Sequence, residues 1–248
     1  LLSYCSVKEL LAQGVITRQT PTTINWNAVL AFLKSNPKID ILLPPKEAFS
    51  EANSGAVANY VHDAIRESKS SFEIRVFGRY VVAPFRDINF VPLDPTTKWL
   101  FGQNIGFART YLNILKDHPK PDLIEVHGRC TIASYIAKKR PDIPVILFLP
   151  NDPRNMKGSK SISERQNLIK ELVQIVCVSN YIRDCFLDGL DANTAQSEKV
   201  SVFPLGIKRN LISPPVKEPI IFMAGRMVPE KGIFEAATAL SKLLPCYP

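Results

Sequence analysis

The 248-residue sequence predicts an α/β protein built on a doubly wound parallel sheet. Short apolar runs such as "IDILLPP", "FEIRVFG", "DLIEVHG" and "PVILFLP" are bounded by Pro, Gly or Asp, as strands are. Longer segments with apolar residues at helical spacing separate them. The two kinds alternate from residue 37 to residue 206, which implies crossover connections and a parallel sheet covered on both faces. An apolar fraction of 46% is enough to fill such a core.

The first strand, "IDILLPP" (39–45), leads into "SGAVANYVHDAIRES", where Val57, Tyr60, Val61, Ala64 and Ile65 share one helical face. "FEIRVFG" (72–78) is the second strand, and "RYVVAPF" and "INFVPL" add extended pieces. "WLFGQNIGFARTYLNILKDH" keeps helical spacing despite Gly102 and Gly106, each costing about 1 kcal/mol relative to alanine in a helix interior. "DLIEVHG" (122–128) is a strand, "TIASYIAKKR" a helix, "PVILFLP" a strand, "SERQNLIKELVQ" a helix and "IVCVS" a strand. "NYIRDCFLDGL" aligns Ile182, Cys185 and Phe186 on a helix, and "KVSVFPLG" ends the series as a short strand. Residues 37–206 therefore read as one domain. Residues 207–218 read as a linker interrupted by Pro214 and Pro215, and 219–248 as the start of a second domain: a strand (219–224), a loop and a helix (232–244) with Ile233, Ala236, Ala237 and Leu240 inward. Residues 1–36 hold two candidate helices, "VKELLAQGV" and "INWNAVLAFLK", and stay unassigned.

Thirty-one basic and 23 acidic residues give a net charge of +8, which favours an anionic partner such as a nucleotide, phospholipid or nucleic acid. No basic run, stacking motif or helix-turn-helix pattern supports the last of these, so no nucleic-acid partner is expected. Cys5, Cys130, Cys177, Cys185 and Cys246 are scattered, without a C-x-x-C pair or a histidine cluster, which suits a reduced cytoplasmic protein lacking structural zinc. No apolar run approaches the roughly 18 residues that span a bilayer, and the N-terminus lacks the pattern of a signal peptide. Position 1 is Leu and the first methionine is Met156, which is not an ordinary start. Neither the G-x-G-x-x-G fingerprint nor the G-x-x-x-x-G-K-[ST] loop is present.

Several residues are candidates for chemistry. In "AGRMVPEKGIFEAATAL", Gly225 permits a turn, Arg226 and Lys231 flank the loop, and Gly232 opens a helix whose first amides attract anions; the alternative is a solvated strand-to-helix connection. Gly55 stands at the start of the first helix, either bringing backbone close to a ligand or serving as a turn residue with Ser54 or Asn53 as N-cap. His127 ends a strand, where ligands lie in open parallel sheets, or is a neutral histidine satisfied by backbone. His62 and His118 read as helix-surface and helix-end residues. "NDPRNMKGSK" carries Arg154, Lys157 and Lys160, which either meet a phosphorylated acceptor or belong to a solvated loop. Ser179 reads as an N-cap, with Arg183 one turn on facing a cleft or water.

"GRMVPEKG" resembles the G-R-x-x-x-E-K-G segment of the group 1 family of retaining glycosyltransferases, and other stretches follow that family's order. "IDILLPPKEAFSEANSGAVANYVHDA" resembles its first strand, glycine-bearing loop and helix. "DLIEVHGR" resembles a central strand ending in histidine, "VCVSNYIRDCF" its strand-serine-helix unit, and "VFPLGI" its approach to the linker. The resemblance covers roughly residues 38–245 and implies the GT-B architecture of two Rossmann-like domains across a cleft. It implies donor-diphosphate contacts for Arg226, Lys231 and Gly55, with positive charge stabilising the leaving phosphate. For His127 it implies a catalytic-site contact to the donor sugar, and Arg154 and Lys157 are possible acceptor-side residues. No cofactor is implied beyond the nucleotide-sugar co-substrate, and the lack of a D-x-D pair agrees with no metal.

The family's E-x7-E pair has no counterpart here, since Glu235 is the only acid after Lys231. The resemblance therefore implies a whole acceptor-side domain with only the first unit of the donor domain, and a chain that does not turn over alone. Lys208 and Pro150 also depart from the family's usual residues. The function implied is transfer of sugar to a glycan or lipid-linked acceptor with retention, in polysaccharide or lipopolysaccharide synthesis, by a cytoplasmic protein with possible peripheral membrane contact. The alternative is a non-catalytic α/β module that binds a sugar or nucleotide.

Overall fold

Seven parallel strands form one sheet in the computed structural model, which describes residues 36–68, 72–94, 98–191, 198–206, 220–225 and 227–243. The strands are β1 (Lys38–Leu42), β2 (Glu73–Arg79), β3 (Phe90–Leu93), β4 (Leu123–His127), β5 (Val145–Leu149), β6 (Gln174–Cys177) and β7 (Val200–Val202). The helices are α1 (Ala56–Arg66), α2 (Lys98–Ile114), α3 (Cys130–Lys139), α4 (Ile162–Glu171), α5 (Asn180–Leu187) and α6 (Ile233–Leu243). The sheet order is β3-β2-β1-β4-β5-β6-β7. The chain steps outward from β1 to β3, returns across the sheet to β4, and then steps outward the other way. The reversal between β1 and β4 is the switch point of a Rossmann-like doubly wound fold. The expected fold class of this domain is thus present.

Right-handed crossovers in opposite directions put their helices on opposite faces. Accordingly, α1 packs Ala58, Val61 and Ala64 against Ile39, Ile41, Val76 and Ile146. On the other face Phe107, Tyr111, Ile136, Leu168 and Phe186, from α2 to α5, cover Leu42, Phe77, Val126 and Leu147. Covering both faces is why the central strands read as continuous apolar runs. Each large apolar side chain buried this way contributes about 1.5–3 kcal/mol.

One polar cluster interrupts that second face. Asp40, with no exposure, accepts from Arg75 Nε at 2.7 Å and Nη2 at 2.9 Å, and from the Tyr111 hydroxyl at 2.7 Å. Arg75 Nη2 also donates to the Pro119 carbonyl at 3.0 Å. Burial raises the Asp40 carboxyl above its ordinary range against the pull of Arg75 and Tyr111. The Tyr111 hydroxyl is pushed well up, chiefly by burial. The cluster ties β1, β2 and α2 together.

Local rules fix the helix starts. Ser161 and Glu164 form a reciprocal capping box on α4, and Ser179 caps α5 by accepting from the Ile182 amide, as expected for Ser179. Three expectations fail locally. Gly102 (φ 75°, ψ 162°) is not helical and kinks α2, because glycine accepts a left-handed backbone that the helix cannot use. "RYVVAPF" is irregular rather than extended, because β2 already ends at Arg79.

The third failure lies in the second compact unit, residues 209–248. Residues 220–224 form no strand there; among this unit's described residues no strand lies beside them to complete a ladder. A 3-10 turn, Pro229–Lys231, ends at Gly232 in the left-handed region (φ 68°), and α6 follows with no buried residue. Ile233, Ala236 and Leu240 are half-buried and Ala237 is exposed, so the expected inward face is not packed. The two candidate N-terminal helices and most of the linker lie outside the described residues.

Candidate functional site

The central strands β1, β4 and β5 deliver Pro44, Gly128 and Pro150 to the carboxyl edge of the sheet at the switch point. Gly128 takes a left-handed backbone (φ 60°), and a Cβ there would lie 3.5 Å from Pro150 Cγ and 3.9 Å from Pro44 Cγ. A Cβ would make only ordinary contacts there, so it is the left-handed backbone that calls for glycine; Gly128 and the two prolines line a crevice of about 320 Å³. Lys46, Glu47, Gly55, Arg129 and Asn151 stand around it. Ligands of open α/β sheets occupy this position.

Gly55 (φ −84°, ψ 177°) is itself the N-cap of α1, with no side-chain cap. The expectation that Ser54 or Asn53 caps the helix is corrected: the Ser54 hydroxyl turns to the Asn59 side chain instead. The first-turn amides of α1 therefore face the crevice without a side-chain acceptor, an arrangement that attracts anions. A Cβ on Gly55 would collide with the Glu47 carboxylate, with Oε1 and Cδ both 2.7 Å away. Glu47 thus fills the space directly in front of Gly55. Lys46 and Arg129 flank it, and Arg129 Nη1 donates to the Gly128 carbonyl at 2.6 Å.

The neighbouring start of α3 is closed. Gly158 (φ 91°) approaches so near that a Cβ would lie 2.7 Å from Thr131 Cγ2 and 3.1 Å from the Thr131 amide nitrogen. The loop carrying Gly158, residues 151–160, is anchored rather than simply solvated. Ser159 donates to the Pro153 carbonyl at 2.7 Å, Cys130 Sγ donates to Ser159 Oγ at 3.3 Å, and buried Arg165 donates to the Ser159 and Lys160 carbonyls. Arg154 and Lys157 are exposed on this loop, apart from the residues lining the crevice. Arg154 pairs with Asp152 (2.8 Å) and Asp188 (3.2 Å), which raises its own ionisation and, through its hydrogen bonds, lowers the Asp152 carboxyl.

His127 is the last residue of β4 and only 3% exposed. Its ring stacks on Phe148 with centroids 4.7 Å apart and planes 11° apart. Nε2 has no hydrogen-bond partner, backbone included, and lies 3.5 Å from Glu125 Oε2. His127 directly precedes Gly128 but is not among the residues that line the crevice. Glu125 escaped the sequence reading, although a lone acid two positions before a strand-end histidine was a legible signal. His62 is corrected from helix surface to buried. It meets Asp87 at 3.0 Å and stacks on Phe85 at 3.8 Å because it borders the apolar face of α1. With Arg66 at 3.4 Å from Asp87, the pair fastens residues 80–89 to α1. His118 is exposed at a helix end, and Arg183 pairs with Asp184 at 3.0 Å.

Lys231 is exposed in the second unit, its Cγ 3.9 Å from the position of a Cβ on Gly225. Arg226 lies outside the described residues. Among the described residues no group of three or more His, Cys, Asp or Glu side chains is placed to hold a metal ion, and no helix is long and apolar enough to cross a membrane.

No protein-family model matches the sequence, and no curated protein matches it. Among the solved structures that are similar in part, three illustrate the likeness. HepE of Anabaena, in complex with UDP and glucose, is 14% identical with a TM-score of 0.47, covering 69% of this chain and 45% of its own. The N-terminal domain of Candida albicans trehalose-6-phosphate phosphatase is 15% identical with a TM-score of 0.45, covering 69% and 49%. UDP-GlcNAc 2-epimerase from Neisseria meningitidis, bound to UDP-GlcNAc, is 13% identical with a TM-score of 0.42, covering 66% and 45%. The chain spans less than half the length of each.

Proposed function

We propose that this chain acts in the transfer of a sugar from a nucleotide-diphosphate donor to a glycan or lipid-linked acceptor, with retention and without a metal ion. In this reading the crevice before Gly55 receives an anionic group of a substrate. The observation that carries it is the start of α1 at the switch point: amides without a side-chain cap, a glycine where a side chain would obstruct, and Lys46 and Arg129 alongside. Arg226 and Lys231 would add positive charge to the departing diphosphate, and His127 would meet the donor sugar. The ordered set of sequence segments resembling group 1 glycosyltransferases supports the same reading.

Glu47 competes with any anion for the space at Gly55, so two substitutions should act in opposite directions. Titration of the 248-residue chain with UDP, GDP and UDP-glucose, followed by NMR, tests this. Gly55→Leu fills the cradle and should weaken binding at least about tenfold, the worth of a lost charge-assisted contact. Glu47→Gln removes the competing charge and should strengthen binding several-fold. Equal affinity in wild type and Gly55→Leu would sink the proposal. Burial of His127 favours one second reading, a module that binds without transferring. Binding of UDP-glucose with no release of UDP in the presence of acceptor, even when the second unit is extended to a full domain, would select it.

A further inference from the structure

Glu125 is 1% exposed in the middle of β4. The register seats it between Ile41 of β1 and Ile146 of β5, and strand alternation turns it to the same face as Leu123 and His127, the face covered by α1. A leucine would fill this row without penalty, whereas a carboxylate among isoleucines is strongly disfavoured unless it has a partner. Its Oε1 has no hydrogen-bond partner at all, and the polar group beside Oε2 is His127 Nε2 at 3.5 Å. Both members of the pair are more than nine-tenths buried, and both carry an unpartnered atom. Asp40, buried on the opposite face, has every oxygen engaged and plainly fastens elements together. Glu125 fastens nothing.

We propose that Glu125 is a positioning residue that keeps the ring proton of His127 on Nε2, so that Nδ1 is the acceptor nitrogen of the imidazole. At 3.5 Å the contact falls short of a hydrogen bond, but a buried carboxylate oxygen at that distance favours a proton on the ring nitrogen facing it, and that choice decides the role of the other nitrogen. Stacking on Phe148 holds the ring plane, and Glu125 sets which nitrogen carries hydrogen. An imidazole in that form takes a hydroxyl donated by a sugar and gives nothing to a phosphate. Hydroxyl recognition at His127, which does not line the crevice, would thus be separate from anion recognition at Gly55. This inference rests on the proposed nucleotide-sugar reading for its ligand, but the proton position does not.

The test uses the 15N-labelled 248-residue chain, whose three histidines, His62, His118 and His127, are assigned with the help of His127→Gln. Long-range proton–nitrogen spectra should show His127 protonated at Nε2 in the wild type. Glu125→Leu should bring the Nδ1–H form to a measurable share while leaving the melting temperature equal or higher. Glu125→Gln, which preserves volume, should move the same signal less, and it serves if the leucine variant does not fold. The advantage of UDP-glucose over UDP should shrink by about two- to tenfold in either variant, with UDP affinity unchanged, as expected for one lost hydrogen bond. An Nδ1–H wild type, or a His127 signal unmoved in both variants, overturns the inference. If neither nucleotide binds but the proton moves as described, the nucleotide-sugar reading fails and the positioning role stands.

Discussion

A carboxylate removed from water needs its oxygens engaged, and Asp40 meets that condition through Arg75 and Tyr111. Asp40→Ala would leave the Arg75 guanidinium buried without its counter-charge and should lower stability by about 3–5 kcal/mol. The double replacement Asp40→Leu with Arg75→Met should recover most of that loss, and urea denaturation of the wild type and both variants checks both statements. Neither partner was legible in the sequence. Asp40 reads as one residue of an apolar strand, and its match to Arg75 depends on the neighbouring register of β1 and β2, which no local pattern reveals. Gly55 was legible because a glycine just before a helix has few structural explanations. Glu47 was not, because its carboxylate reaches Gly55 only through the irregular path of residues 43–54, which has no period to read.

Elements were easier to read than contacts. β1, β4 and β5 are buried on both faces, so composition alone marks them, and α1 and α5 show apolar residues where helical spacing requires. Misreadings fall where local preference meets a missing or unexpected neighbour: the glycine kink in α2, the irregular segment after β2, and residues 220–224 without a ladder. Helix capping sits between these extremes, because its chemistry is local. Ser161 accepts from the Glu164 amide while the Glu164 side chain accepts from the Ser161 amide. Ser161→Ala should therefore cost about 1 kcal/mol, read as a lower urea midpoint with unchanged slope. A larger loss would mean that this helix start also secures the anchored loop before it.

At the scale of the molecule, the closed apolar faces control how the thiols behave. Burial pushes the Cys130 thiol up to about 11 and the Cys177 thiol up to about 12. In the unfolded chain both ionise near their ordinary value of about 8.5. The folded form thus holds the proton longer, and the stability linked to these groups is complete below that pH and lost as pH rises toward 11 and 12. Stability should fall by about 1.4 kcal/mol per pH unit for each thiol in that window. Urea melts at pH 8, 9 and 10 should show the decline, and Cys177→Ala should make it shallower. The sheet order has another consequence, one of time. Ile39 pairs with Leu123, so β1 gains its second neighbour only after the chain through β4 has been made. Until then β1, β2 and β3 present an open edge, and such non-local parallel pairing is slow. The crevice is a late product of folding, and a chain stalled before β4 is the form that chaperones would meet.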